Sequence, residues 1–293
     1  MSRARVREGA ARALLLAALA AGGLCPALPA AAASIALQIE LDGTLLGGIS
    51  FQANDVALYD PVTGSAAMLL PATAFDKPTR VEALQVLGDG TLVLASGQSK
   101  RTLGGLTLST GDIARYDPAT DTASLLLAES VFDDGKAQVD AVQRLDDGSL
   151  AFSVAHGESI GGVGFGQGDI VRYDPATGSV SLLFSASLFG QGNVDVSGAF
   201  VSADGGIFLS TKQDATLGGL SFQAGDVVRY DPATGGAALV TDGALLPANT
   251  RMVAVYVQAP EPSAVLLLLS GIAGLLLFPR LSRDRDRARD GGR

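Results

Sequence analysis

Tyr-Asp-Pro recurs at Tyr59, Tyr116, Tyr173 and Tyr230, and each step is 57 residues. Gly47-Gly48, Gly104-Gly105, Gly161-Gly162 and Gly218-Gly219 keep that step, as do Asp55, Asp112, Asp169 and Asp226. A fixed period of this kind means that one supersecondary unit is copied along the chain. Such a unit does not bury its apolar face alone and must pack on its neighbours. Whatever the chain folds into must therefore place four similar units side by side.

The third repeat shows what one unit is. Val139 to Leu145 is a run of β-prone residues, and Asp147-Gly148 is a turn signal. Leu150 to Val154 forms a second run. Gly161-Gly162 opens a third segment centred on Ile170-Val171-Arg172-Tyr173. Asp174-Pro175-Ala176-Thr177-Gly178 is a turn, because Pro fixes φ and Gly tolerates a positive φ at its end. Val180 to Ser185 is the fourth run. Short β-prone runs parted by Gly, Asp and Pro clusters predict an all-β domain.

Four short antiparallel strands per repeat make the blade of a β-propeller, and four repeats predict a four-bladed β-propeller-like domain over 34–259. The repeat is longer than the usual blade of about 40–50 residues, which leaves room for loops. Ser34 to Ile39 aligns with the second strand of a repeat, and Met252 to Val257 aligns with the first. Pairing these two ends would complete one blade and remove an open sheet edge. That arrangement predicts sixteen blade strands. The rival is an elongated β-solenoid or open stack, for which the sequence offers no cap.

Both ends of the chain lie outside the repeats. Arg3, Arg5, Arg7 and Arg12 precede an apolar run from Ala13 to Leu24 and the stretch Ala30-Ala31-Ala32-Ala33. That order is the basic, apolar and small-residue layout of a secretory signal peptide over 1–33, with cleavage between Ala33 and Ser34. Arg3 and Arg5 are separated, so there is no twin-arginine pair. Cys25 follows Leu24, a bulky residue where a lipobox needs a small one, so Cys25 is expected to leave with the signal.

Over 260–293 the chain runs Pro260-Glu261-Pro262-Ser263, then an uncharged stretch from Ala264 to Phe278, then an Arg-rich tail. At ~1.5 Å per residue the apolar stretch is short for a ~30 Å hydrocarbon core. Snorkelling Arg280 would extend it, and positive residues after it favour a cytoplasmic tail. This C-terminal segment resembles the PEP-CTERM sorting signal of exported bacterial proteins. The resemblance implies Pro260, Glu261 and Pro262 as the sorting motif, 264–278 as a transient inner-membrane helix, and an exosortase as processing partner. It also implies a cell-surface or extracellular destination, linked to exopolysaccharide or biofilm matrix. Asp284, Asp286 and Asp290 depart from the purely basic tail.

Composition narrows the chemistry. Residues 34–259 hold 25 acidic and 11 basic residues, a net of −14, which opposes nucleic acid and other polyanions as partners. One Cys and one His exclude a disulfide, a Cys-cluster zinc site and a two-His apparatus. His156 aligns with Ser99 and Gln213, so the repeat does not require it, and it reads as a solvated loop residue. Asp55, Asp112, Asp169 and Asp226 are the weak metal candidates. Four carboxylates about a pseudo-four-fold axis suit Ca²⁺, and the alternative is that each caps its own turn. No other cofactor is implied. Arg115, Arg172 and Arg229 keep register, with Leu58 in their place in the first repeat. Each Arg is expected to pair with a nearby carboxylate, and each Tyr to pack between blades.

The sequence thus predicts a non-catalytic binding or structural module, exported and sorted to the surface, with polysaccharide or matrix components as partners. The alternative is a secreted propeller enzyme, a metal-dependent hydrolase, lactonase or lyase. It requires non-repeating acids at one channel mouth, and Glu82, Asp140 and Asp195 are the residues placed for that. N-terminal sequencing of the exported protein should begin within a few residues of Ser34, whereas a lipidated Cys25 in that product would overturn the signal assignment.

Overall fold

The computed structural model is described for residues 33–257. The first repeat supplies β1 (Ala33–Ile39), β2 (Thr44–Leu46), β3 (Ile49–Phe51), β4 (Val56–Tyr59) and β5 (Ala66–Leu70). The second supplies β6 (Val81–Val86), β7 (Leu92–Ser96), β8 (Arg101–Leu103), β9 (Leu106–Leu108), β10 (Ile113–Asp117) and β11 (Thr122–Leu127). The third supplies β12 (Val139–Arg144), β13 (Leu150–Val154), β14 (Glu158–Ile160), β15 (Val163–Phe165), β16 (Ile170–Asp174) and β17 (Ser179–Phe184). The fourth supplies β18 (Val196–Val201), β19 (Ile207–Thr211), β20 (Ala215–Leu217), β21 (Leu220–Phe222), β22 (Val227–Tyr230) and β23 (Ala237–Thr241), and β24 (Thr250–Val257) ends the series.

These strands form four antiparallel four-stranded sheets, ordered β24-β1-β4-β5, β6-β7-β10-β11, β12-β13-β16-β17 and β18-β19-β22-β23. The innermost strands β6, β12, β18 and β24 adjoin one another in a closed cycle. The domain is therefore a four-bladed β-propeller, and the pairing of the two ends occurs as the alignment requires. Ala33 stands opposite Val257 and Ile39 opposite Thr250.

Each blade also carries a separate hairpin, β2-β3, β8-β9, β14-β15 or β20-β21. The expectation of sixteen strands is met by the blades and corrected by these eight more. The Gly-Gly pairs do not open the third blade strand; they are the hairpin turns. Gly47 and Gly48 have φ of 56° and 79°, two consecutive left-handed residues of the kind a type I′ turn demands. A Cβ on Gly47 would also lie 2.4 Å from the Ala66 nitrogen, so the tip packs on its own outermost strand. The hairpins and the short 3-10 turns that follow each outermost strand account for the unusual repeat length.

The core is divided into four parts, one at each junction between blades. One cluster joins Val93, Ile113 and Leu127 of the second blade to Val139, Leu150 and Phe152 of the third. Phe152 there meets Phe132 and Phe165 edge-on, with ring centroids 5.8 and 6.1 Å apart. The other clusters join first to second, third to fourth and fourth to first blades. Tyr59, Tyr116, Tyr173 and Tyr230 are each buried in one of these junctions, as expected. The hairpins contribute Leu46 and Phe51, Leu103 and Leu108, Ile160 and Phe165, Leu217 and Phe222.

The linkers hold each blade to the next. Phe75 and Phe189 bridge to Leu103 and Leu217 in the following hairpin. Asp133 Oδ1 and Oδ2 accept from the Gly161 and Gly162 amides at 3.1 Å.

Because β24 serves two junctions, its loss should open both. A chain ended after Asn249 should lose its cooperative melt or aggregate through the bared β1 edge; an unchanged single transition by calorimetry would overturn the closed-ring account of stability.

Candidate functional site

Asp55, Asp112, Asp169 and Asp226 are not gathered around the axis. Each sits just before the third strand of its own blade and is consumed there. Asp112 Oδ2 accepts from the Ser109 amide at 2.7 Å, and Oδ1 accepts from the Glu129 amide at 2.7 Å. Asp55, Asp169 and Asp226 repeat both bonds with residues three before and 17 after. The carboxylate thus caps its turn and ties it to the 3-10 turn beyond the outermost strand. Among the described residues no group of three or more His, Cys, Asp or Glu is arranged to hold a metal ion. The Ca²⁺ ring is corrected accordingly: the turn reading is the one the geometry supports.

Arg115, Arg172 and Arg229 pair with Asp89, Asp147 and Asp204. These acids belong to the turn joining the first and second strands of the same blade. The first blade has no such turn, because β24 and β1 come from opposite ends of the domain. Leu58 occupies the Arg position where no partner acid exists. His156 is an exposed loop residue.

The non-repeating acids tell a different story. Each innermost strand is bulged near its start, where two residues face one on the second strand. The extra residue is Glu82, Asp140, Ser197 or Val253, and all four are buried. Two ion networks grow from them. Arg251 donates from Nη1 to Glu82 Oε2 at 2.8 Å, and from Nη2 to Gln38 Oε1 and the Val81 carbonyl, both at 2.9 Å. Arg80 lies 3.5 Å from the same Glu82. In the second network Lys212 Nζ lies 3.1 Å from Asp140 Oδ2 and 2.9 Å from Asp195 Oδ2. The first joins blades one and two, and the second joins blades three and four. Glu82, Asp140 and Asp195 thus lie near the starts of innermost strands, where the sequence puts them, but bridged by cations that sequence reasoning did not attach to them.

Burial and the neighbouring Asp195 push the Asp140 carboxyl up to about 7, against the pull of Lys212. Burial lowers Lys212, and the two carboxylates outweigh it, so its net shift is upward. Asp140 therefore holds its proton well above the ordinary carboxylate range while Lys212 stays charged. Asp140 Oδ1, Asp195 Oδ1, Gln38 Nε2 and Ser210 Oγ are buried without a hydrogen-bond partner in the chain, and Asp140 Oδ2 meets the Lys212 ammonium alone. Beside these networks is a cavity of about 410 Å³ lined by Ser197, Thr211, Lys212, Asn249, Thr250 and Arg251, among others. No acid lines it.

No protein-family model matches the chain. No curated protein matches it. Among solved structures, an extracellular domain ascribed to a one-component system of B. thetaiotaomicron is 10% identical with a TM-score of 0.33. That overlap covers 71% of this chain and 33% of the other, so the chain spans about a third of its length. A nidogen/laminin complex chain is 9% identical with a TM-score of 0.35, over 71% of this chain and 62% of the other. A protein of unknown function from Bacteroides caccae is 8% identical with a TM-score of 0.32, over 71% and 73%. These likenesses are distant, and the propeller assignment rests on the strand pairing itself.

A carboxyl whose folded pKa exceeds its unfolded value binds more protons when folded, so stability falls as pH rises between the two. Asp140 spans 3.8 to about 7, and Glu158, pushed up to about 7 by burial with Asp134 and Glu129 nearby, adds in the same direction. The melting temperature should therefore be higher at pH 5 than at pH 8. Asp140→Asn should flatten that difference and raise the pH 8 value, at roughly 2–4 °C per kcal/mol for a domain of this size. An equal or steeper fall with pH in Asp140→Asn would overturn the assignment.

Proposed function

We propose that this chain is an exported, surface-destined propeller that works as a non-catalytic binding module. The observation that carries this reading is the bridging of the non-repeating acids by cations. Glu82 and Asp140 each stand against an arginine or lysine from an adjoining blade, and Asp195 stands against the same Lys212 within its own blade. Asp140 has a wholly buried side chain, so it has no reach toward a substrate. A general acid or nucleophile must touch the reacting atoms. The cation that a metal-dependent hydrolase, lactonase or lyase would need between such acids is here the Lys212 ammonium.

Export rests on the two ends of the sequence. Residues 1–32 of the signal peptide, the sorting motif Pro260-Glu261-Pro262 and the apolar stretch 264–278 lie outside the described residues, and Ala33 is the first residue of β1. Among the described residues no helix is long and apolar enough to cross a membrane. The expected course is translocation, inner-membrane retention through 264–278, processing by an exosortase, and release to the surface or an exopolysaccharide matrix. Prolines on either side of Glu261 hold the motif extended for a processing enzyme.

Mass spectrometry of the released protein should find no peptides from Arg283–Arg293, and Glu261→Ala should leave precursor in the inner membrane. Glycan-array capture with and without Ca²⁺ tests the module. Retained tail peptides would overturn the sorting, and turnover of a glycan or lactone panel would overturn the non-catalytic reading.

A further inference from the structure

We propose that the cavity between Lys212 and Arg251 is a subsite for a small hydroxylated carboxylate, of which a single sugar acid is the type. This inference rests on the binding-module reading and names the chemistry of one site within it. The domain carries 25 acids and 11 basic residues over 34–259, yet this cavity is lined by two cations and no acid. It is the sign of the surface reversed at one place.

The donors are available. Arg251 has five N–H groups, of which Glu82, Gln38 and the Val81 carbonyl take three. Lys212 has three, and Asp140 and Asp195 take two. Gln38 is 2% exposed, holds Arg251 through Oε1, and leaves its Nε2 donor without a partner. Buried donors of this kind are costly unless something accepts from them. Gln38 does not line the cavity, so it is the spare N–H groups of Arg251 and Lys212 that suit an anion there.

Charge decides which anion. Arg80, Lys212 and Arg251 stand against Glu82, Asp140 and Asp195, which sum to zero when all are ionised. The proton that Asp140 holds below about pH 7 tips this balance to the positive side, which one carboxylate offsets. A dianion would overshoot it, and a polyanion would meet the acidic remainder of the surface. Size and lining complete the description. A volume of about 410 Å³ lies at the small end of ligand pockets, about 300–1,000 Å³. Ser197, Thr211, Thr250 and Asn249 offer hydroxyl and amide groups to the hydroxyls of the guest.

The test is isothermal titration of the purified full-length protein with D-glucuronate, D-glucose and acetate. Glucuronate should bind, acetate should bind at least tenfold more weakly, and glucose should give no heat. Lys212→Met should weaken glucuronate at least tenfold. It also strips the cation from two buried acids, so Asn249→Gly provides the second arm. Asn249 has φ 61°, which glycine accepts, and that change should weaken glucuronate several-fold with an unaltered melt. Acetate binding as tightly as glucuronate would overturn the hydroxyl half of the proposal. Equal binding of glucose and glucuronate, or an unchanged affinity in the Asn249→Gly protein, would overturn the whole. Absence of glucuronate binding with neutral glycans still captured on the array would overturn this subsite and leave the module standing. Turnover of any probe would overturn the module.

Discussion

The pairing of β1 with β24 is the interaction on which the rest of the domain depends. No blade has a core of its own. The apolar mass lies at the junctions, and a junction exists only where two blades meet. Ile35, Leu37 and Met252 pack toward the fourth blade, while Ala36, Val253 and Ala254 pack toward the second. The blade sewn from the two ends thus serves two of the four cores. An open array of the same repeats would leave two apolar faces in water, each a cluster of Val, Leu and Phe side chains at about 25 cal/mol per Å². Closure converts both into one shared interior.

Within that ring, repetition and its failure mark different tasks. The Asp turn staples, the Gly-Gly hairpins, the buried Tyr and the Arg–Asp pairs are copied because every junction has the same shape to fill. Leu58 departs from the copy at the seam, where the turn that would carry its acid partner is missing. The bulged positions depart everywhere: Glu82, Asp140, Ser197 and Val253 share a backbone role and no side-chain chemistry. A bulge aims its extra residue away from the regular pleat. Side chains that differ at four such places meet different partners: Val253 packs in a core cluster, while Glu82 and Asp140 each meet a cation of an adjoining blade.

Much of the scaffold was legible because it repeats. Tyr-Asp-Pro and its step placed the outer turns, and the aligned fragments at Ser34 and Met252 foretold the closing pair. The hairpins were less legible: Gly47-Gly48 between Leu46 and Ile49 is a type I′ signal, but the same pair reads equally as the entry to a strand. The candidate site was half legible. Glu82, Asp140 and Asp195 stood out as acids near strand starts, but their cations did not. Glu82 and Arg251 are separated by 169 residues, and no local pattern joins positions whose contact exists only after closure.

The innermost strands pose a last problem, because each has an edge facing the axis and no strand to fill it. Side chains of neighbouring blades do so instead. Gln85 accepts from the Arg144 amide at 2.6 Å and donates to the Arg144 carbonyl at 3.3 Å. Gln143 treats Val201 in the same way, at 2.6 and 3.0 Å. Arg251 takes the Val81 carbonyl, and the Ser153 hydroxyl reaches the Val196 carbonyl at 3.4 Å. Each contact ties one blade to the next through backbone groups of the innermost strands that no neighbouring strand pairs. Arg251 is therefore bound to the scaffold by its backbone contact as well as by its charge. Lys212 Nζ has only two carboxylates and keeps about a third of its side chain in the open. Of the two cations at the cavity, Lys212 is the one free to exchange a partner. A guest that enters does so against Lys212, with Arg251 as the fixed wall.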